Sequence, residues 1–195
     1  MKKKLITITF TVLSLLIAAT ALASVFVYYP LTINISPQPP GVVFQAGSNA
    51  NQPDIGGKTI SVSIGSNSTS ASITINPTYQ ENYYKDVLRI SNSDTRAMNV
   101  YIVFTSVSNT LPTNSIVKLL IYDGTTKVAE LEVTNPTINQ PFSIGSIASG
   151  KTWQIDIYVS IPEGASIQGA SYSASAKLVY TPSTETPPVN PSSGR

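Results

Sequence analysis

Five aspartates, Asp54, Asp86, Asp94, Asp123 and Asp156, carry the hard oxygens that a calcium ion takes. Their spacing is too wide for a loop of closely set ligands, so the sequence predicts solvated surface carboxylates and no metal. Tyr28, Tyr29, Tyr79, Tyr83 and Tyr84 have the ring chemistry of a sugar platform, but strand and core packing is the stronger reading. Histidine and cysteine are absent from all 195 residues. Thiol nucleophiles, histidine triads, zinc sites of the usual Cys/His type and HExxH proteases are thereby excluded. Charged residues make up only 11% of the chain, which leaves little for carboxylate, Ser, Lys or Tyr catalysis. The sequence therefore predicts no catalytic residue and no cofactor.

Two triplets, Asn34-Ile35-Ser36 and Asn67-Ser68-Thr69, fit the N-glycosylation pattern. A chain this rich in Asn, Ser and Thr also makes such triplets by chance. Asn67 sits in a polar, loop-like stretch; Asn34 is open to modification only where the even face of its segment stays exposed.

The segments that must position these residues begin with a leader. Lys2, Lys3 and Lys4 precede an apolar run over residues 5–19, and Ala21-Leu22-Ala23 has the small-x-small form read by signal peptidase. Residues 1–23 read as a signal peptide cut between Ala23 and Ser24. An uncleaved anchor is the alternative, since apolar character runs on to about Val27. Loss of the three lysines tips the formal charge from +2 to slightly negative. No basic face then remains for nucleic acid. With no cysteine to form disulfides, stability must come from packing and backbone pairing.

Behind the cut lies an apolar arm, residues 24–36. Val25, Val27, Tyr29, Leu31, Ile33 and Ile35 occupy every odd position, and Pro30, Thr32, Asn34 and Ser36 the even ones from 30 on. A period of two puts one face of an extended strand against a hydrophobic partner. The partner is either the arm's own sheet or another copy of the chain. The stiff break Pro37-Gln38-Pro39-Pro40-Gly41 disfavours a tight return, and nothing blunts so apolar a strand.

Residues 37–57 read as a Pro/Gly-rich linker with a short strand, and 58–181 as the body. Strands are expected over 58–64, 70–75, 84–91, 98–104, 116–122, 127–133, 142–147, 153–161 and 172–180. Asp123-Gly124 marks a hairpin, and the dense run 116–122 suits a strand covered on both faces. No capped amphipathic helix follows the leader. Short strands spaced by turn residues predict an all-β antiparallel sandwich of jelly-roll type. Residues 182–195 lack the apolar content to pack and read as a disordered tail.

Several pieces together resemble the archaeal bundling pilins, relatives of the biofilm-matrix fibre protein TasA and the camelysins. They are the leader and arm followed by Val42-Val43-Phe44-Gln45, the run Tyr84-Lys85-Asp86-Val87-Leu88-Arg89-Ile90-Ser91-Asn92 with Asn99-Val100-Tyr101, and the run from Ile155 to Ala165. The resemblance implies a jelly-roll subunit whose N-terminal strand, here Val25 to Ile35, fills a groove in the next subunit to build an extracellular fibre. The partners it implies are copies of the chain itself, with other filaments or the cell envelope beyond them. Membrane is met only through the leader. Camelysin-like proteolysis is not carried over, because the chain has no histidine. The competing expectation is a monomeric, N-terminally anchored surface sandwich that binds polysaccharide or an envelope protein.

Overall fold

The computed structural model describes residues 2–20 and 27–188. The chain divides into two units, residues 1–38 and 39–195. In the first, α1 (Lys2–Thr20) covers the expected leader. Thr7, Thr9 and Thr11 return their hydroxyls to the carbonyls four residues back, at 2.8–3.0 Å. Among the described residues no helix is long and apolar enough to cross a membrane. Residues 27–40 adopt no regular secondary structure. Val27, Tyr28, Tyr29, Leu31, Ile33 and Ile35 are 66–88% exposed.

The second unit is an antiparallel β-sandwich. Its larger sheet has the order β1-β4-β9-β6-β7, from Val42–Ala46, Gln80–Asn92, Thr152–Ile161, Ile116–Asp123 and Thr126–Glu132. The smaller has the order β10-β5-β8, from Tyr172–Thr181, Met98–Asn109 and Pro141–Ile147. A separate hairpin joins β2 (Ser61–Ile64) to β3 (Ala71–Thr74).

Alternation dictates the layers. Trp153, Ile155, Ile157, Val159 and Ile161 of β9 are all buried, facing Met98, Val100, Ile102 and Phe104 of β5 in one core. Each such side chain contributes about 1.5–3 kcal/mol on burial. Phe104 and Phe142 meet edge to face with centroids 5.9 Å apart. In β6, Val117 and Ile121 face this core, while Leu120 is buried on the opposite side between the half-buried Lys118 and Tyr122. Asp123-Gly124 makes the expected hairpin into β7, with Gly124 at φ 60.

Two strands outrun their expected lengths by several residues. β5 continues through Thr105-Ser106-Val107-Ser108-Asn109 because β10 pairs along it, with Thr105 the extra residue of a bulge. β4 begins at Gln80 and carries an irregularity between Tyr84 and Leu88, where Asp86 sits at φ 46. The short strand foreseen within 37–57 is β1, an edge of the larger sheet. Of the expected tail, residues 182–188 are described. Asn99 Nδ2 donates to Ser183 O (2.7 Å) and Tyr101 Oη to Glu185 O (3.4 Å), which ties its first residues to β5.

Candidate functional site

The smaller sheet is two strands narrower than the larger, and the deficit opens a cleft of about 980 Å3 beside β10. Its floor is core: Ile90 of β4, Ile157 of β9 and Phe104 of β5 line it. Ile73 of β3 stands on one bank and Leu178 of β10 on the other. Tyr172, Leu178 and Tyr180 pack inward against the core. Ala174 and Ala176 share that inward face, yet both are exposed, because nothing lies over them. Lys177 is the one charged residue lining the cleft.

The free edge of β10 is as bare as the cleft. Thr110 N–H donates to Ser171 O (2.9 Å), and Thr105 Oγ1 to Ser175 O (3.2 Å). Ser171, Ser173 and Ser175 thus turn their backbone groups toward β5. By alternation, Tyr172, Ala174, Ala176 and Leu178 turn theirs to the open side. The inward side chains and the N–H and C=O groups left unpaired among the described residues belong to the same positions.

The opposite margin, between β7 and β8, differs. Its cleft is about 340 Å3 and is lined by Glu130 and Glu132. Lys118 Nζ meets Glu130 Oε1 at 2.8 Å, and Lys127 pairs with the other oxygen. The two ammonium groups hold the Glu130 carboxyl down at about 2. Charges on an edge strand are a standard guard against pairing with another chain. β7 carries a network of such charges; β10 carries Lys177 alone.

The expected carboxylates are scattered, and two correct the expectation of solvated surface groups. Asp86 and Asp156 are only 3% and 1% exposed. Their burial follows from the irregularity in β4: Asp86 N–H donates to Asp156 Oδ1 (2.6 Å), while Tyr83 Oη and Gln154 Nε2 also donate to Asp156. Burial would raise the Asp86 pKa, but Arg89 and Ser48 more than offset it and hold the carboxyl at about 2. Asp54 caps the turn Ile55–Gly57 and accepts from the Asn76 backbone and side chain. Asp94 holds the Arg96 turn, and Asp123 stands exposed at its hairpin. No cluster of three or more His, Cys, Asp or Glu able to hold a metal occurs among the described residues.

The tyrosines of the body do not share a platform. Tyr84 is core, Tyr79 Oη donates to Ala165 O (2.7 Å), and Tyr83 covers Asp156 on the outer face. Burial and the neighbouring Asp54 raise the Tyr84 pKa; burial and Asp156 raise that of Tyr83. Asn34 and Asn67 are both exposed, Asn67 in the turn between β2 and β3. Ala23, Ser24 and Val25 lie outside the described residues.

Sequence reasoning missed the cleft. Its signal was present in Tyr172-Ser173-Ala174-Ser175-Ala176-Lys177-Leu178, where the inward face drops to alanine between two bulky residues. A scan of protein-family models gives no match to the chain, and a search of curated proteins gives none either.

Proposed function

We propose that this chain is a secreted structural subunit that polymerises by donor-strand exchange, the 25–35 arm of one copy filling the β3–β10 cleft of the next. The observation that carries this reading is a match between two unfinished parts. One is a strip of exposed apolar side chains at every second residue from Val27 to Ile35. The other is a mostly apolar slot over the core, with Lys177 its one charged lining residue, beside a strand edge whose hydrogen bonds are unmade among the described residues. An added strand supplies main-chain bonds, and its alternate side chains fill the slot. The length and apolar lining of the cleft suit a strand better than a small polar substrate.

The resemblance to archaeal bundling pilins and TasA adds to this reading, with a jelly-roll subunit and an extracellular fibre as its setting. Removal of the leader after Ala23 belongs to the same proposal, and N-terminal sequencing of the exported protein should return Ser24. Deleting residues 24–36 tests the core claim. The deletion variant should keep the sandwich's circular dichroism and thermal transition, yet form no filaments by electron microscopy. Filaments of normal length from it would end the proposal.

A further inference from the structure

We infer that the incoming arm runs antiparallel to β10, and that Pro30 sets this direction. The inference rests on the donor-strand reading and adds to it the orientation and the reason the exchange passes between copies.

The argument is one of parity. Tyr172, Ala174, Ala176 and Leu178 point their side chains into the cleft and their backbone groups to the free edge. The arm's odd residues must face the cleft, because Pro30, Thr32, Asn34 and Ser36 make the other face polar. Directly opposed residues share a face of the sheet. In an antiparallel ladder they also exchange the hydrogen bonds, so Val27, Tyr29, Leu31, Ile33 and Ile35 would bond to β10. The missing N–H of Pro30 then points away from β10 and costs that ladder nothing. In a parallel ladder each β10 residue bonds instead to the neighbours of the residue opposite it. Those neighbours are the even residues of the arm, and Pro30 would leave a β10 carbonyl without its donor.

Direction decides reach. The chain enters the body at Gly41, whose N–H donates to the Tyr180 hydroxyl (3.3 Å), so it enters near the C-terminal end of β10. An antiparallel arm that fills the whole length of β10, with Val27 opposite Tyr180 and Ile35 opposite Tyr172, places Ile35 at the far end, about 26 Å away at ~3.3 Å per residue. The six steps from Ile35 to Gly41, three of them ending at prolines, span at most roughly 19–22 Å. A subunit cannot fill its own cleft in this orientation, and a neighbour can.

The absence of cysteine makes the test clean. Full-length chains would carry one cysteine on the outward face of the arm, Asn34→Cys or Tyr28→Cys, and one on the outward face of β10, Ser173→Cys or Val179→Cys. Assembled material is oxidised and resolved by denaturing electrophoresis; bridging requires Cα atoms within about 7 Å. The pairings Asn34→Cys with Ser173→Cys and Tyr28→Cys with Val179→Cys should give ladders of covalent oligomers, severalfold stronger than the two swapped pairings. Stronger ladders from the swapped pairings would mean a parallel arm, overturning the direction while leaving donor-strand exchange intact. Bridges confined to single chains would place the arm in its own cleft and overturn both. Ladders from none of the four, with filaments present, would overturn the donor-strand reading itself.

Discussion

The backbone N–H of Asp86, a residue in left-handed conformation, donates to the buried carboxylate of Asp156 across the β4–β9 pair at 2.6 Å. This bond makes the irregularity in β4 stable. The Gln154 amide and the Tyr83 hydroxyl complete the coordination of the same carboxylate from the sheet's outer face. Three donors, the Asp86 N–H, the Tyr83 hydroxyl and the Gln154 amide, converge on the two oxygens of one carboxyl group.

Asp156→Asn puts an amide N–H2 where only acceptors fit, leaving a buried donor facing donors. The expected cost is about 2 kcal/mol, read as a lower urea midpoint with unchanged slope. An unchanged midpoint would show that the irregularity holds without this carboxylate.

Acid should loosen the same region. The Asp86 carboxyl has its pKa at about 2, below the ordinary 3.8. A depressed folded-state value contributes stability above the unfolded value, and that contribution is lost as pH falls from about 4 to 2. Its size is about 2 kcal/mol. Denaturant titrations across that window should show the decline, and Arg89→Ala should flatten it. The pair of Glu130 with Lys118 and Lys127, set on the surface of β7, should leave no comparable trace.

Gly47→Ala is expected to destabilise the body by about 1–3 kcal/mol. A Cβ there would lie 1.9 Å from Asp86 O, within the loop that bonds to the irregularity through Gly47 N–H to Val87 O (3.2 Å) and Asn49 N–H to Asp86 O (3.1 Å). Thermal melting checks this.

Ala176→Leu fills the slot from within. The monomer should melt at the same temperature or slightly higher, since the added methylenes cover exposed core. Filaments should be lost or shortened, as seen by electron microscopy and sedimentation. Full-length filaments from this variant would move the acceptor site elsewhere.

Much of the sandwich was legible because its strands are half-buried and alternate. Trp153 to Ile161 and Met98 to Phe104 announce their inward faces residue by residue, and Asp123-Gly124 announces its turn. The irregularity at Asp86 left only a faint sign, the adjacent apolar pair Val87-Leu88 that breaks the period of two. Burial of Asp86 and Asp156 was hidden, since their mutual bond joins residues 70 apart in the chain. The cleft was hidden for a related reason. Ala174 and Ala176 look like ordinary small strand residues until β10 is known to be an edge with no strand beyond it. Periodicity reveals which way a side chain points, but not whether anything stands opposite.

The Lys and Glu fence along β7 has a consequence for the geometry of assembly. A sandwich bare at both margins could recruit neighbours on either side and spread into a mat. With one margin closed, the proposed exchange would give each copy a single socket and a single plug, and units of that valence line up in file.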